Sequence, residues 1–391
     1  MIPHAFRHRA AALMGAVAIA SASLSTAAYA HPGLTNYPHG VTSLPASFWE
    51  ALALRPAAAQ DVWARLRESM QWQEEIRRPR VKEWIERYRN NPENIAEITE
   101  RATPWLHWIV QQLEARDLPG EIALLPFVES SFDPTARSSM GARGLWQFMP
   151  GTADALGLPR TGGYDGRLDV VASTHAALDY IEEQAEQWYE GDLELSLAAY
   201  NAGAGTINNA LRVATSQGKS ETYWQLLLPG ETMHYLPKLL AISAIIADPD
   251  RYQVALPEIP DVPAFAEVEL KRPLNLEHAA FLAGTSVETL ESLNPGLLNG
   301  QLTPANHNVL LVPSEHYDTL VTNLASQAES SDQTVRYQVQ RGDSLSRIAS
   351  RHGISPATIR SLNGIRGDMI RVGQMLKLPE NSYTRAQASN G

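Results

Sequence analysis

Along residues 48–116, apolar side chains recur three and four positions apart: Trp63, Leu66 and Met70; Trp84, Ile85 and Tyr88; Trp105, Ile109 and Leu113. That spacing places each set on one face of a helix of period 3.6, so 48–116 is expected to be a helical N-terminal region. The rhythm continues over 117–250, broken at Pro119-Gly120, Gly157, Gly162-Gly163, Gly191, Gly203/Gly205 and Pro229-Gly230, where proline and glycine mark turns. A mostly α domain with several loops is expected there. Residues 254–263 hold three Pro and mark a boundary.

Beyond that boundary the chain repeats itself. Ala-Gly-Thr-Ser-x-x-Thr-Leu-x-Ser-Leu-Asn at 283–294 recurs, 69 residues on, as His-Gly-Ile-Ser-x-x-Thr-Ile-x-Ser-Leu-Asn at 352–363. Short apolar strands precede the copies at 268–270 and 337–339, and strands ending in Pro follow at 309–313 and 374–379. The pattern predicts two small βααβ units, one over 264–314 and one over 336–379. Residues 315–335 join them, and the Ser/Gln/Asp-rich stretch 322–334 reads as a flexible linker. Residues 31–47 read as a loose leader and 380–391 as a tail.

Composition narrows the function. With 44% hydrophobic and 19% charged residues among 391, the chain holds two or three globular domains. A net charge of −11 makes nucleic acid a poor partner, because phosphate recognition needs cations. There is no Cys, which excludes disulfides, Cys-ligated metals, a cysteine nucleophile and a lipid anchor on cysteine. The scattered His residues show no ligand spacing, and neither metal nor cofactor is expected. Arg7 and Arg9, the apolar run 10–22 and Ala28-Tyr29-Ala30 have the layout of a signal peptide cleaved after Ala30. Its loss would take the net charge to −13, and an exported protein is expected. Six of the nine Trp lie within 49–108. At helical spacing most of these are expected in the core rather than stacked on sugars.

The two repeat copies differ. Residues 336–379 carry eight Arg or Lys against two Asp, whereas 267–313 carry two bases against five Glu. Only the second copy opens with Gly342-Asp343-Ser344-Leu345, where Gly342 permits a tight turn and Asp343 or Ser344 can cap the next helix. Together with Asn363, this Tyr-x-Val-x-x-Gly-Asp-Ser-Leu-x-x-Ile-Ala motif resembles a LysM module. The resemblance implies binding of N-acetylglucosamine-containing glycans through Gly342, Asp343, Ser344, Leu345 and Asn363. The first copy resembles a degenerate LysM lacking Gly-Asp.

One carboxyl stands out over 117–250. Glu129 ends the apolar segment 122–129, and partial desolvation there would raise its pKa, as a general acid near neutral pH requires. The stretch Gly141-Ala-Arg-Gly144-Leu-Trp-Gln147-Phe-Met149-Pro150 forms a glycine-bearing loop. The stretch Ala-Ala-Tyr200-Asn201-Ala-Gly203 reads as a helix ending at an Asn/Gly turn, with Asn201 a candidate for left-handed backbone. Glu231-Thr-Met-His-Tyr235-Leu-Pro237-Lys238 opens a long apolar helix.

These stretches, with Glu129-Ser-Ser-Phe-Asp-Pro and Tyr164-Asp165-x-Arg167-x-Asp169, resemble the lysozyme-like Slt domain of the family 1 lytic transglycosylases. The domain order is similar to that of LysM-bearing members of that family. The fold class implied is mainly α: a lysozyme-like catalytic domain over 117–250 with a helical N-terminal extension, plus small LysM modules at the C-terminus. The resemblance implies Glu129 as the single catalytic acid/base, with Ser130, Gln147, Met149, Tyr200, Asn201 and Tyr235 around the substrate. Asp165, Arg167 and Asp169 read as an ion-pair and capping cluster.

The expected activity is peptidoglycan cleavage between N-acetylmuramic acid and N-acetylglucosamine with 1,6-anhydromuramoyl ends. Glycosidases ordinarily use two carboxylates, ~5–5.5 Å apart for retention or ~6.5–9.5 Å for inversion. With one framed Glu, an intramolecular route is the consistent one. A hydrolytic muramidase, which needs a second carboxylate facing Glu129, and a non-catalytic wall-binding protein are the alternatives. The expected partner is the glycan strand, the expected state a monomer, and the expected location the periplasm, at the cell wall or outer membrane.

Overall fold

A computed structural model describes residues 61–303, 307–332 and 334–379, without the side chains of 328–334. The signal peptide, leader and tail expected from the sequence, and Trp49, lie outside the described residues.

Four helices open the described chain: α1 (Val62–Glu68), α2 (Pro79–Arg89), α3 (Pro92–Arg101) and α4 (Leu106–Glu114). Asp61 and Asn91 accept backbone N–H bonds at the starts of α1 and α3, and Pro begins α2 and α3, where its missing N–H costs nothing. The apolar spacing is realised as buried faces, with Val62, Trp63 and Leu66 on α1 and Leu106, Ile109, Val110 and Leu113 on α4. Trp63, Trp105 and Trp146 are buried, and Trp72, Trp84 and Trp108 are partly buried against the same core.

The helices then run α5 (Leu125–Glu129), α6 (Pro150–Ala155), α7 (Val170–Trp188), α8 (Leu193–Ala202), α9 (Ala204–Ser216), α10 (Gly230–Ala247) and α11 (Pro249–Tyr252). α10 is apolar nearly all round, and Leu236, Leu239, Leu240, Ile242, Ile245 and Ile246 are fully buried. A helix of that kind belongs in the middle of a core. α2 packs along it, and one continuous apolar cluster runs from Val62 to Ile259. Pro237 interrupts α10 and has no N–H for the Met233 carbonyl; Arg80 Nη1 of α2 fills that vacancy at 2.9 Å. A hydrogen bond lost inside one helix therefore becomes a cross-link to another.

The first repeat copy comprises β1 (Phe265–Glu269), β2 (Leu274–Asn275), α12 (Leu276–Ala283), α13 (Val287–Leu293), β3 (Gln301–Leu302) and β4 (Val309–Pro313). β1 pairs antiparallel with β4, and β2 with β3. The stretch expected as a flexible linker is instead the helix α14 (Tyr317–Asp332). Leu320 is fully buried and Leu324, one turn on, packs against the first copy's core, while Asn323 Nδ2 donates to the Leu282 carbonyl at 2.7 Å. Leucines four apart give a polar segment the apolar stripe that orders it as a helix.

The second copy is β5 (Thr334–Gln338), α15 (Leu345–His352), α16 (Pro356–Asn363) and β6 (Met375–Pro379), with β5 and β6 antiparallel. Both copies share one internal pin. Asn294 Nδ2 donates to the Leu290 and Leu311 carbonyls and its Oδ1 accepts from Leu311 N; Asn363 makes the same three bonds with Ile359 and Lys377. Each Asn thereby ties the second helix to the last strand.

The first copy docks on the helical domain. Asp165 N donates to the Gly296 carbonyl at 2.9 Å and Leu298 N to the Gly163 carbonyl at 3.0 Å. His307 stacks on Tyr164 with centroids 4.4 Å apart, and Phe265 meets Trp105 and Trp108. Among the described residues, no helix is long and apolar enough to cross a membrane.

Candidate active site

Glu129 closes α5, a five-residue helix fed by the fully buried 3-10 turn Gly120–Leu124. The chain then reverses sharply. Ser130 N and Phe132 N both donate to the Pro126 carbonyl, and Ser131 and Phe132 take left-handed backbone, with φ of 54° and 56°. Two consecutive non-glycine residues in that region are costly, about 1–2 kcal/mol each. The burial of Phe132 and the bond from Arg101 Nε to the Ser131 carbonyl, 2.8 Å, hold the reversal in place. Glu129 is left half-buried at the rim of the core.

The Tyr235 hydroxyl of α10 donates to Glu129 Oε1 in a short hydrogen bond. Burial pushes the Glu129 carboxyl up to about 7, and the Glu231 charge adds to the rise; the Tyr235 bond and the Lys238 charge oppose it. Tyr200 and Tyr235 are both driven well above 10, first by burial and then by the Glu129 charge. Both hydroxyls therefore stay protonated and available as donors. Glu194 is also pushed up to about 7 by burial. It sits at the opposite end of α8 from Tyr200 and accepts from Trp224 Nε1 at 3.1 Å, so a raised carboxyl alone does not single out the acid.

The 141–149 loop stands beside Glu129. Ser130 Oγ donates to the Leu145 carbonyl at 2.8 Å, and the Tyr200 hydroxyl donates to the Trp146 carbonyl at 2.7 Å. Gln147 takes left-handed backbone, φ 51°, and its Nε2 donates to the Gly144 carbonyl at 2.7 Å. Gly144 has φ 80°, and a Cβ there would lie 1.7 Å from the Arg167 carbonyl oxygen, so only glycine fits. Met149 is 42% exposed and leads into α6.

Asn201 lies within α8; the left-handed backbone expected of it falls on Gly203, φ 81°. Its Oδ1 accepts from Thr232 Oγ1 at 2.8 Å, which leaves the amide N–H groups as its free donors. The structure thus brings Glu129, Ser130, Tyr200 and Tyr235 into one bonded neighbourhood with the 141–149 loop.

The cluster at 164–169 is structural. Arg167, 4% exposed, is bidentate to Asp165 and donates to the Gly141 carbonyl, while Arg143 Nη1 also reaches Asp165. Asp169 caps α7 through Ala172 N and accepts from the Tyr164 hydroxyl. The arginines thereby clamp the base of the loop that carries Gln147.

In the second copy, Gly342 has φ 93°, Ser344 caps α15 and Leu345 is buried. Asp343 is committed internally: it accepts from the Tyr337 hydroxyl at 2.6 Å and Gln340 N at 2.8 Å, and pairs with Arg351. Burial pushes the Asp343 carboxyl up, but the Tyr337 and Gln340 bonds and the Arg351 charge together hold it below the usual carboxylate range. Asp343 and Asn363 therefore shape the module from inside. In the first copy, Asn275 takes over the capping role of Ser344.

Sequence reading did not find the Thr232–Asn201 bond, the Trp146 carbonyl as partner of Tyr200, or the direct bond from Tyr235 to Glu129. The Glu231-x-x-x-Tyr235 spacing was the available signal, since residues four apart share a helix face.

A lysozyme-like helical domain with one framed, desolvated carboxyl defines the class as a glycan-cleaving enzyme. Residues 107–223 match the family model "Transglycosylase SLT domain", 337–379 match "LysM domain", and 264–329 match "Lytic transglycosylase MltD, LysM-like domain". The chain is 38% identical over 322 residues to membrane-bound lytic murein transglycosylase D of Escherichia coli (strain K12), covering 80% of this chain and 71% of that protein. It is 34% identical over 122 residues to membrane-bound lytic murein transglycosylase F 2 of Alkalilimnicola ehrlichii, covering 29% and 26%. A putative tributyltin chloride resistance protein of Alteromonas sp. (strain M-1) is 41% identical over 111 residues, covering 28% and 53%. The chain belongs to the lytic murein transglycosylase family, in the group typified by transglycosylase D. It is a LysM-bearing lytic transglycosylase of peptidoglycan.

Proposed function

We propose that Glu129 is the single acid/base of this enzyme. The bond cleaved joins C1 of N-acetylmuramic acid to O4 of N-acetylglucosamine. Glu129, protonated below about pH 7, gives its proton to that oxygen as the bond breaks. Positive charge develops at C1. The Asn201 amide, whose carbonyl is anchored on Thr232, lines the sugar's subsite beside the acid. The Glu129 carboxylate then takes the proton from the sugar's own C6 hydroxyl as O6 closes on C1. The product is a 1,6-anhydro ring, no water is consumed, and Glu129 is returned protonated.

The observation that carries this reading is the Tyr235–Glu129 bond within a site that holds the carboxyl up to about 7. Such a group is poised to act as acid and then as base at neutral pH. Tyr235 stabilises the anion formed after the first proton transfer. Ser130, Gln147 and Tyr200 hold the loop against the acid, and Met149 offers an exposed apolar contact for the strand.

Glu231 supports one second reading. It lies one turn before Tyr235, on the face of α10 that meets Glu129, and its charge is felt there. If Glu231 positioned a water, the enzyme would hydrolyse rather than close the anhydro ring. The mass of the released fragments separates the two, because an anhydro end is lighter by one water. Glu129→Gln should abolish release of either product.

The second LysM copy supplies wall attachment in this reading, and its net positive charge suits the acidic groups of peptidoglycan. The signal peptide read at 1–30 takes the chain to the periplasm, where it works as a monomer at the wall. Fractionation of cells expressing the full chain, with sequencing of the mature N-terminus, tests export and cleavage at Ala30.

A further inference from the structure

We propose that Lys238, propped on the Trp84 indole beside the catalytic acid, is a subsite for a carboxylate of the peptidoglycan strand. The proposal rests on Glu129 being the acid. Tyr235 and Lys238 are three residues apart on α10, so they share a face, and Tyr235 is bonded to Glu129. The Lys238 charge reaches Glu129, where it favours the ionised form.

The ammonium is held from the other side by α2. Lys238 Nζ lies 5.1 Å from the centroid of Trp84. That indole is fixed in turn, since its Nε1 donates to His234 Nδ1 at 3.0 Å. The Arg80 bonds to the Met233 and Trp224 carbonyls clamp the same seam. Lys238 is half-buried, and among the described residues its ammonium has no hydrogen bond or ion pair. By contrast Arg87, the other cation over Trp84, is paired with Glu83.

Lysine is almost never fully buried unless paired and otherwise keeps its head in water; Lys238 instead rests its ammonium on Trp84 without an ion pair, in a chain of 43 acids against 32 bases. A cation left without an anion, in a seam fixed by three hydrogen bonds, suits an anion that arrives with substrate. The backbone sugars of peptidoglycan are neutral. Their carboxylates are those of the muramyl lactyl group, when its peptide is absent, and of the peptide stems. An ammonium with three donors on a flexible stem fits either, and the Trp84 ring gives the stem or sugar an apolar wall. Trp84 and Lys238 both lie outside 107–223, the span matched by the catalytic-domain model.

The test is steady-state kinetics of the full chain and its Lys238→Met and Lys238→Arg variants on three substrates: stem-bearing glycan strands, strands stripped of stems by an amidase, and stripped strands whose lactyl carboxyls are converted to methylamides. Loss of one charge-assisted contact should raise KM roughly tenfold in Lys238→Met, with kcat within about twofold, and Lys238→Arg should recover much of it. On the methylamide strands, wild type and Lys238→Met should have equal KM. A KM effect on stripped strands identifies the lactyl carboxylate, and one confined to stem-bearing strands identifies a stem carboxylate. An effect of equal size on the methylamide strands, or no effect on any substrate, overturns the proposal. Glu129→Gln, run alongside, separates the two claims: activity in that variant would remove the acid assignment whatever Lys238 does.

Discussion

Tyr235 donates its hydroxyl proton to Glu129 across 106 residues of sequence, joining the end of a short buried helix to the first turns of the central one. Tyr235 is 3% exposed, and Glu129 is fixed by the left-handed turn that follows it. The bond stabilises the carboxylate while burial opposes it, and the balance leaves the group near neutrality.

Tyr235→Phe should therefore push the Glu129 pKa further up. The acid must be protonated for the first step, so the alkaline limb of kcat/KM, expected near pH 7 in the wild type, should move to higher pH. Turnover at the optimum should fall roughly tenfold, the value of one such hydrogen bond. A pH–rate profile from pH 5 to 9 checks both.

The raised pKa also has a stability signature. The folded state binds the Glu129 proton more tightly than the unfolded chain does, so its contribution to stability falls as pH rises from about 4.5 to about 7. Glu129→Gln removes that loss. The variant should be more stable than wild type at pH 8, on the order of 1–3 kcal/mol, and the gain should vanish near pH 4. Urea titrations at the two pH values measure it.

Thr232→Val leaves the Asn201 carbonyl without its donor and frees the amide to turn. KM should rise severalfold, with a stability loss of about 1 kcal/mol. Kinetics on soluble muropeptide fragments, with a melting curve, distinguish this from general unfolding.

Much of the core was legible in the sequence. Trp63 with Leu66, and Ile109 with Leu113, fell on buried faces because their spacing is local and the helix period is fixed. The candidate Glu129 was legible for the same reason, as the polar end of an apolar run. What was not legible depends on distant partners. The Ser, Gln and Asp of α14 have the composition of a linker, although Leu320 and Leu324 carry the helical spacing that docks it. The α2–α10 seam required knowing that Pro237 frees the Met233 carbonyl and that Arg80, 153 residues before Met233, takes it.

Breaking the clamp under the 141–149 loop should be costly. Arg167→Met takes the bidentate partner from the buried Asp165 carboxylate, leaving it Arg143 alone, and releases the Gly141 carbonyl. Removing one partner of a buried pair costs about 3–5 kcal/mol, so the variant should melt well below wild type and lose activity together with order in the loop. Thermal unfolding and activity at low temperature check it.

The paired Asn pins predict different outcomes for the two copies. Asn363→Ala should unfold the second module and reduce sedimentation with purified wall, while kcat on soluble fragments stays near wild type. Asn294→Ala should lower the melting temperature of the catalytic domain itself, because the first copy is docked on Tyr164, Asp165 and Trp105. Pelleting assays and calorimetry separate the two.

The most direct test of the central claim is mass spectrometry of the fragments released from purified peptidoglycan by residues 31–391, beside Glu129→Gln. One carboxyl acting in turn as acid and base predicts muropeptides one water lighter than hydrolytic products, and none from the variant. Fragments of full hydrolytic mass, or undiminished release by Glu129→Gln, would contradict it.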